Sequence, residues 1–259
     1  MSIHDDSAWV FNRMADVYDA RPPYPAPLLD ALAELATRAG PRIGDLGAGI
    51  GHLTLPLAAR GFALTAVEPA GAMLSRLRGA ALAQGLPVRA LHAAAEALPL
   101  EPASLDLVLI ADALHFIDTE LAAREIARVL VPRGTLALVT CELGRTPFMR
   151  ELVSLMEESA PRRPRVLDSR RAQLAGVARV SLDHELCFED ETPVSPAELE
   201  RILLTISFIG PAMNAKRTAV FRERLHALPS PAVWARRFSL RWGRRQRGAL
   251  AAHALGSSV

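Results

Sequence analysis

The stretch Arg42-Ile43-Gly44-Asp45-Leu46-Gly47-Ala48-Gly49-Ile50-Gly51 constrains this chain most. A short apolar segment runs into Asp45, after which Gly47, Gly49 and Gly51 alternate with small residues. Glycine adopts positive φ without steric cost and lets a ligand lie against the backbone. A helical pattern follows near Leu53, and the next apolar segment, Ala63-Leu64-Thr65-Ala66-Val67-Glu68, ends on a carboxylate. Strand, glycine loop, helix, strand and acid make up one nucleotide-binding half of a parallel sheet, in which an acid roughly twenty positions past the loop accepts hydrogen bonds from ribose hydroxyls. A plain tight turn would also account for the glycines, and Glu68 is what favours the binding loop. The spacing is G-x-G-x-G rather than G-x-G-x-x-G, and no P-loop pattern occurs.

Asp45-Leu46-Gly47-Ala48-Gly49-Ile50-Gly51, followed by Val67-Glu68-Pro69 and Met73-Leu74, resembles the class I S-adenosylmethionine-dependent methyltransferases. The likeness is good over about residues 8 to 140 and looser beyond. It implies an α/β fold: a Rossmann-like, doubly wound, mostly parallel seven-stranded sheet with an antiparallel C-terminal strand and a helical cap. It also implies S-adenosyl-L-methionine as cofactor. Asp45, Gly47, Ala48 and Gly49 would then surround its aminobutyrate and ribose, Glu68 and Pro69 its ribose diol, and Met73 its adenine. After the third strand the family commonly has Asp-Ala-Glu-x-Leu-Pro, whereas this chain has Ala94-Ala95-Glu96-Ala97-Leu98-Pro99. With Ala94 in place of the acid, adenine would rely on the backbone of Ala95 and on Glu96. Tyr18, Arg21 and Tyr24 match a segment that folds over the cofactor near its carboxylate, where a planar guanidinium can bind both oxygens.

Ser104 to Ala111 is an almost unbroken apolar run, as a central parallel strand requires. Ligands bind beyond the carboxyl ends of such strands, here Ala111-Asp112-Ala113-Leu114-His115-Phe116. Ala111 joins the cofactor set, and Asp112 and His115 are the candidate catalytic residues. His115 can act as general base towards a hydroxyl or amine, or hydrogen-bond loop backbone and only shape the pocket. Asp112 can orient an acceptor amine or cap the next helix. His52 can face the cofactor, though it reads better as a capping or solvent-exposed side chain. The resemblance implies methyl transfer to an O, N or C nucleophile of a small molecule, of the kind handled in secondary metabolism. The alternative is an enzyme of the same fold that closes the aminobutyrate on itself and releases methylthioadenosine, since fold does not fix chemistry.

Residues 1–40 form an N-terminal helical segment over the cofactor site, 41–145 the binding core, and 146–259 the remaining strands with a helical cap, all in one domain. Residues 8–19 read as one amphipathic helix with Phe11, Met14, Val17 and Tyr18 on one side. An extended, proline-rich segment follows at 21–25. Further helices are predicted over 26–39, 52–60, 69–84, 119–130, 147–159, 196–209 and 214–227. Strands are predicted over 88–93, 135–140, 177–189 and 233–242, with 131–134 a turn and 161–165 a basic loop. Phe208, Met213 and Phe221 of the cap are candidates to line the acceptor pocket.

Positive charge is almost wholly arginine, and the formal net charge is only +2. Arg236, Arg237, Arg241, Arg244, Arg245 and Arg247 cluster among Trp234, Phe238 and Trp242, a pattern that can mark a nucleic-acid surface. Their alternation reads better as a strand with solvated arginines on one face. The amine-binding Asn/Asp-Pro-Pro-Tyr/Phe motif is also missing after the fourth strand, so no nucleic-acid partner is expected. The apolar run from Leu105 to Leu114 is interrupted by Asp106 and Asp112 and is too short to span a bilayer. The N-terminus lacks a signal peptide's features, and Cys141 and Cys187 fit neither a metal site nor a disulfide framework. The expectation is a cytoplasmic monomer or homodimer acting on a small-molecule acceptor, without metal or membrane.

Overall fold

The computed structural model describes residues 10–160, 166–210, 215–228 and 231–246. Its centre is one seven-stranded sheet, β1 (Ile43–Leu46), β2 (Leu64–Glu68), β3 (Val88–His92), β4 (Leu105–Ala111), β5 (Leu130–Leu143), β6 (His184–Pro193) and β7 (Val233–Arg244), in the order β3-β2-β1-β4-β5-β7-β6. β1 to β5 pair in parallel, and β7 runs antiparallel to both β5 and β6. This is the doubly wound, mostly parallel sheet with an antiparallel C-terminal strand that the sequence suggests. The order reverses between β1 and β4, and there the sheet opens a crevice at its carboxyl edge.

The central strands are apolar on both faces because helices cover both. β4 shows it by alternation: Val108 and Ile110 pack beneath α5 (Thr119–Val129) and α7 (Leu167–Ala178), while Leu107 and Leu109 face α2 (Ala26–Ala39) and α3 (Thr54–Ala58). At the opposite end of β1 and β4, Arg42 holds Asp106 through Nη2 to Oδ1 at 2.6 Å and Nε to Oδ2 at 2.9 Å. α4 (Gly71–Ala83) follows β2, and Leu77 packs on Ala48 and Ala66.

A separate apolar cluster joins α6 (Pro147–Ser159), α8 (Pro196–Leu204) and α9 (Ala215–His226) to Trp234 and Ala235 at the start of β7. α8 begins with a complete capping box between Ser195 and Glu198 and has Pro196 in its first turn. β7 serves three regions in turn with side chains of one face: Trp234 packs under the cap helices, Arg236 and Phe238 reach the crevice, and Leu240 joins the α2–α3 core.

Three expectations need correction. Residues 8–19 are not one α-helix: α1 (Val10–Met14) passes into a 3₁₀ segment, Ala15–Ala20. The tighter winding of about three residues per turn turns Val17 out, 39% exposed, while Met14 and Ala15 pack on Ala70 and Met73. The strand expected from residue 177 begins at His184, because Val177 and Ala178 close α7, a helix the sequence pattern misses. Arg171, charged yet buried, breaks its apolar stripe, and Arg179 ends it in the left-handed conformation at φ 53 without the usual glycine signal. The turn at 131–134 lies within β5 as an irregularity in its pairing with β4, with Arg133 at φ 67. Met213, Arg247, the basic run 161–165 and residues 8–9 lie outside the described residues.

Arg237 and Arg241 share one face of β7 as expected, but Arg236 is corrected: it lies on the apolar face, 8% exposed, where Asp190 and the Pro22 and Pro23 carbonyls hold it, and carboxylates of β6 meet these arginines across the ladder. Arg236 pairs with Asp190 at 2.6 Å and Arg241 with Glu185 at 2.9 Å. Among the described residues no helix is long and apolar enough to cross a membrane, and no cluster of ligating side chains could hold a metal.

Gly243 makes β7 testable. A Cβ there would stand 1.2 Å from the Ser181 carbonyl oxygen. Gly243→Ala must therefore push the β7 end from the segment before β6, at a cost of about 3 kcal/mol or more. Thermal denaturation should show a large fall in Tm, and an unchanged Tm would contradict this packing.

Candidate active site

A cavity of about 610 Å³ opens beyond the carboxyl ends of the strands. One end is made by the β1–α3 loop. Gly47 and Ala48 donate N–H bonds to the Val67 carbonyl at 2.8 and 3.1 Å, which folds the loop back on β2. Gly47 has φ +74, and a Cβ on it would lie 2.6 Å from that of Ala113, so the loop after β4 packs directly against it. Gly49, at φ +58, has nothing within 4 Å of where a Cβ would be.

Two buried carboxylates flank this loop. Glu68 accepts the Gly49 N–H at Oε2 and the Ala70 N–H at Oε1, each at 2.8 Å. Burial raises its pKa to about 7 against the pull of those two donors. Asp45, 1% exposed, accepts the Thr54 hydroxyl at Oδ2, and burial raises it to about 6. Its Oδ1 is buried without a hydrogen-bond partner among the described residues. A buried acceptor left so exposes a need for a donor from a ligand.

The other wall is the strap of residues 10–25. Tyr18, Arg21 and Tyr24 all line the cavity. Arg21 donates to Thr205 Oγ1 at 3.1 Å and to its carbonyl at 3.2 Å, which fixes the strap to the end of α8, and its Nη1 lies 3.7 Å from Asp112. Asp112 sits at φ 49, a strained conformation for a non-glycine residue, and lines the cavity from the end of β4. Burial, then the charge of Asp112, pushes the Tyr24 phenol well above its usual pKa.

The structure brings all thirteen cofactor-binding candidates into this one cavity: Tyr18, Arg21, Tyr24, Asp45, Gly47, Ala48, Gly49, Glu68, Pro69, Met73, Ala95, Glu96 and Ala111. Asp112 joins them. His115 does not: in the 3₁₀ turn Leu114–Phe116 successive side chains diverge, so Phe116 enters the cavity while His115 faces a separate recess beside Ser169 and Arg170. The general-base expectation for His115 is corrected on that ground. His52 is also corrected, since it is no cap and lines the cavity wall. Phe208 and Phe221 belong to the cap's own core. Cys141, Arg236 and Phe238, unassigned by the sequence, complete the wall. Phe238 pairs with Cys141 across β5–β7, a register no local pattern reveals.

Residues 44–138, from β1 into β5, match the family described as methyltransferase domain. An uncharacterized methyltransferase of Mycobacterium tuberculosis (strain ATCC 25618 / H37Rv) is 41% identical over 164 residues, 62% of this chain and 65% of that protein. Over residues 44–138 the chain is thus similar to methyltransferase domains. Its alignment thus spans about two thirds of the curated relative, just under that fraction at 65%. Among solved structures, the YcgJ protein from Bacillus subtilis superposes with a TM-score of 0.56 at 21% identity, over 85% of this chain and 98% of that one. A geranyl diphosphate methyltransferase in complex with GPP and sinefungin gives 0.52 at 14%, over 84% and 76%. These two show a shared fold.

The raised carboxylate gives this protein a signature in pH. The unfolded Glu68 ionises near 4.5 and the folded one near 7, so its contribution to stability declines as pH rises through that window. Glu68→Gln removes the ionisation. Its stability relative to wild type should therefore rise by up to about 3 kcal/mol between the two values. Urea melts at several pH values measure it, and parallel curves for the two proteins would exclude a perturbed Glu68.

Proposed function

We propose that this protein transfers the methyl group of S-adenosyl-L-methionine to an O, N or C nucleophile of a small molecule. The observation that carries the reading is a single cavity with a binding loop and two buried carboxylates at one end and a walled recess at the other. Its volume, about 610 Å³, lies in the range of small-molecule sites.

The donor set fits the cofactor. Asp45 Oδ1, lacking a protein donor, suits an ammonium group. Glu68 lines the cavity beside Gly49, where hydroxyls can add to its two backbone donors. Met73 and Pro69 offer an apolar face to a base. Ala94 has no carboxylate, so the amino group falls to the backbone of Ala95 and to Glu96, whose Oε1 already accepts the Asp118 N–H at 2.6 Å. Sinefungin, an analogue of S-adenosylmethionine, in the similarly folded geranyl diphosphate methyltransferase supports this choice.

When bound, S-adenosylmethionine supplies a methyl group already activated by its positive sulfur. The protein's part is to align acceptor and methyl donor and to exclude water, and proximity alone can lower a barrier by several kcal/mol. The strap, fixed by Arg21 to Thr205, supplies the cover.

Calorimetry with S-adenosylhomocysteine tests the reading. Wild type should bind it, and Glu68→Ala should weaken binding about 10- to 100-fold, since hydrogen bonds to charged groups contribute about 1.5–3 kcal/mol. Affinity should also fall as pH drops below about 7, where Glu68 gains a proton and loses an acceptor site. Absence of any binding heat in wild type would end the proposal. Methylthioadenosine formed from S-adenosylmethionine alone would instead point to displacement at another carbon.

A further inference from the structure

Past the binding loop and Glu68 the cavity continues into a recess under the strap, built by Tyr24, His52, Cys141 and Phe238 with Arg21 and Arg236 at its margin. The Tyr24 and Phe238 rings meet edge to face, their centroids 5.6 Å apart. Packed on each other, the two rings offer an aromatic wall against which a flat ring can lie.

Both guanidinium groups are committed to protein partners. Arg21 is held by Thr205 and lies 3.7 Å from Asp112. Arg236 donates to Asp190 at 2.6 Å and to the Pro22 and Pro23 carbonyls at 2.9 and 2.8 Å. Both are anchored by these bonds, and together their charge disfavours a cationic acceptor.

His52 differs from them. Its ring stacks on Tyr18, centroids 5.8 Å apart and 27° between planes, and neither ring nitrogen has a hydrogen-bond partner among the described residues. The charged and titratable groups around it are Tyr18, Asp19 and Arg21 of the strap and Arg236 of β7. Burial, then Arg21 and Arg236, lowers its pKa to about 4, with Asp19 opposing. The imidazole is therefore uncharged at neutral pH, and one of its two ring nitrogens is a hydrogen-bond acceptor.

We propose that this recess is the acceptor subsite and that His52 is its specificity-determining residue, accepting a hydrogen bond from the hydroxyl of an uncharged, ring-bearing acceptor. The proposal rests on the methyltransferase reading and narrows its O, N or C nucleophile to a neutral hydroxyl. It also gives product release a cause. Methyl transfer replaces the hydroxyl proton, which is lost to solvent, with a methyl group, so the product no longer offers the imidazole a donor, and a site built to receive a hydroxyl rejects the analogue that lacks one.

Phenol, anisole and benzylamine, titrated into the protein saturated with S-adenosylhomocysteine and followed by ligand-observed NMR, test it. Phenol should bind wild type about tenfold or more tightly than anisole, the difference expected from one unmatched buried acceptor. Benzylamine, a cation at neutral pH, should not bind. His52→Phe should reduce the phenol-to-anisole preference to about one, and His52→Gln, which keeps an accepting oxygen, should retain most of it. The wild-type preference should persist down to about pH 5.5, where an ordinary histidine would have gained its proton. Equal binding of phenol and anisole to wild type, no binding of phenol, or a preference surviving in His52→Phe would each overturn the proposal. Failure of S-adenosylhomocysteine itself to bind would be seen first, and would remove the reading beneath it.

Discussion

The interaction on which the site depends is the carboxylate of Glu68 gripping two backbone donors, Gly49 N–H across the loop and Ala70 N–H at the entry to α4. A carboxyl group 5% exposed is costly to ionise unless donors converge on it. Here the donors come from the loop after β1 and the turn after β2, so one side chain sets the spacing of the two parallel strand ends. The Val67 carbonyl reinforces this by accepting from Gly47 and Ala48. Positive φ at Gly47 and Gly49 follows from aiming successive N–H groups at β2, which is why that loop needs glycine there.

A second layer of constraint closes the site. The strap has little core of its own: Met14 and Ala15 rest on Ala70 and Met73. Polar bonds at its far end do the rest, with Arg21 reaching Thr205 of the cap and Arg236 of β7 reaching the Pro22 and Pro23 carbonyls. The prolines remove backbone donors and leave these carbonyls without partners in a ladder, and a buried arginine answers them. Strap, cap and antiparallel edge are thus tied at one junction, through contacts between residues about 200 positions apart.

That separation explains what could be read from the sequence. Asp45, Gly47, Gly49, Glu68 and Met73 belong to one contiguous βαβ unit whose geometry is local: spacing marked the glycines and Glu68, the family resemblance added Asp45 and Met73, and all five line the cavity. The central strands were equally plain, because burial on both faces leaves an apolar run such as Leu105–Ala111. Legibility fails where a position depends on distant pairing or on the phase of a single turn. α7 hid behind its buried Arg171, which bonds Thr140 Oγ1 of β5 at 2.6 Å. His115 and Phe116 sit side by side in sequence, yet only the structure decides which of them enters the cavity.

The same division separates the two halves of the cavity. The proposed cofactor half rests mainly on the β1–loop–β2 unit, joined by Ala95 and Glu96 after β3, Ala111 at the end of β4 and the strap. The recess draws single residues from the strap, the β1–α3 loop, β5 and β7. On β7, side chains of one face pass from cap to recess to core within Trp234, Arg236, Phe238 and Leu240, so two consecutive positions of that face can alter the recess while those on either side preserve the packing. In the proposed reading, a cofactor site fixed by backbone geometry sits beside an acceptor site defined by scattered side chains, so the recess can change while the loop, held by Glu68 and the Val67 carbonyl, stays as it is.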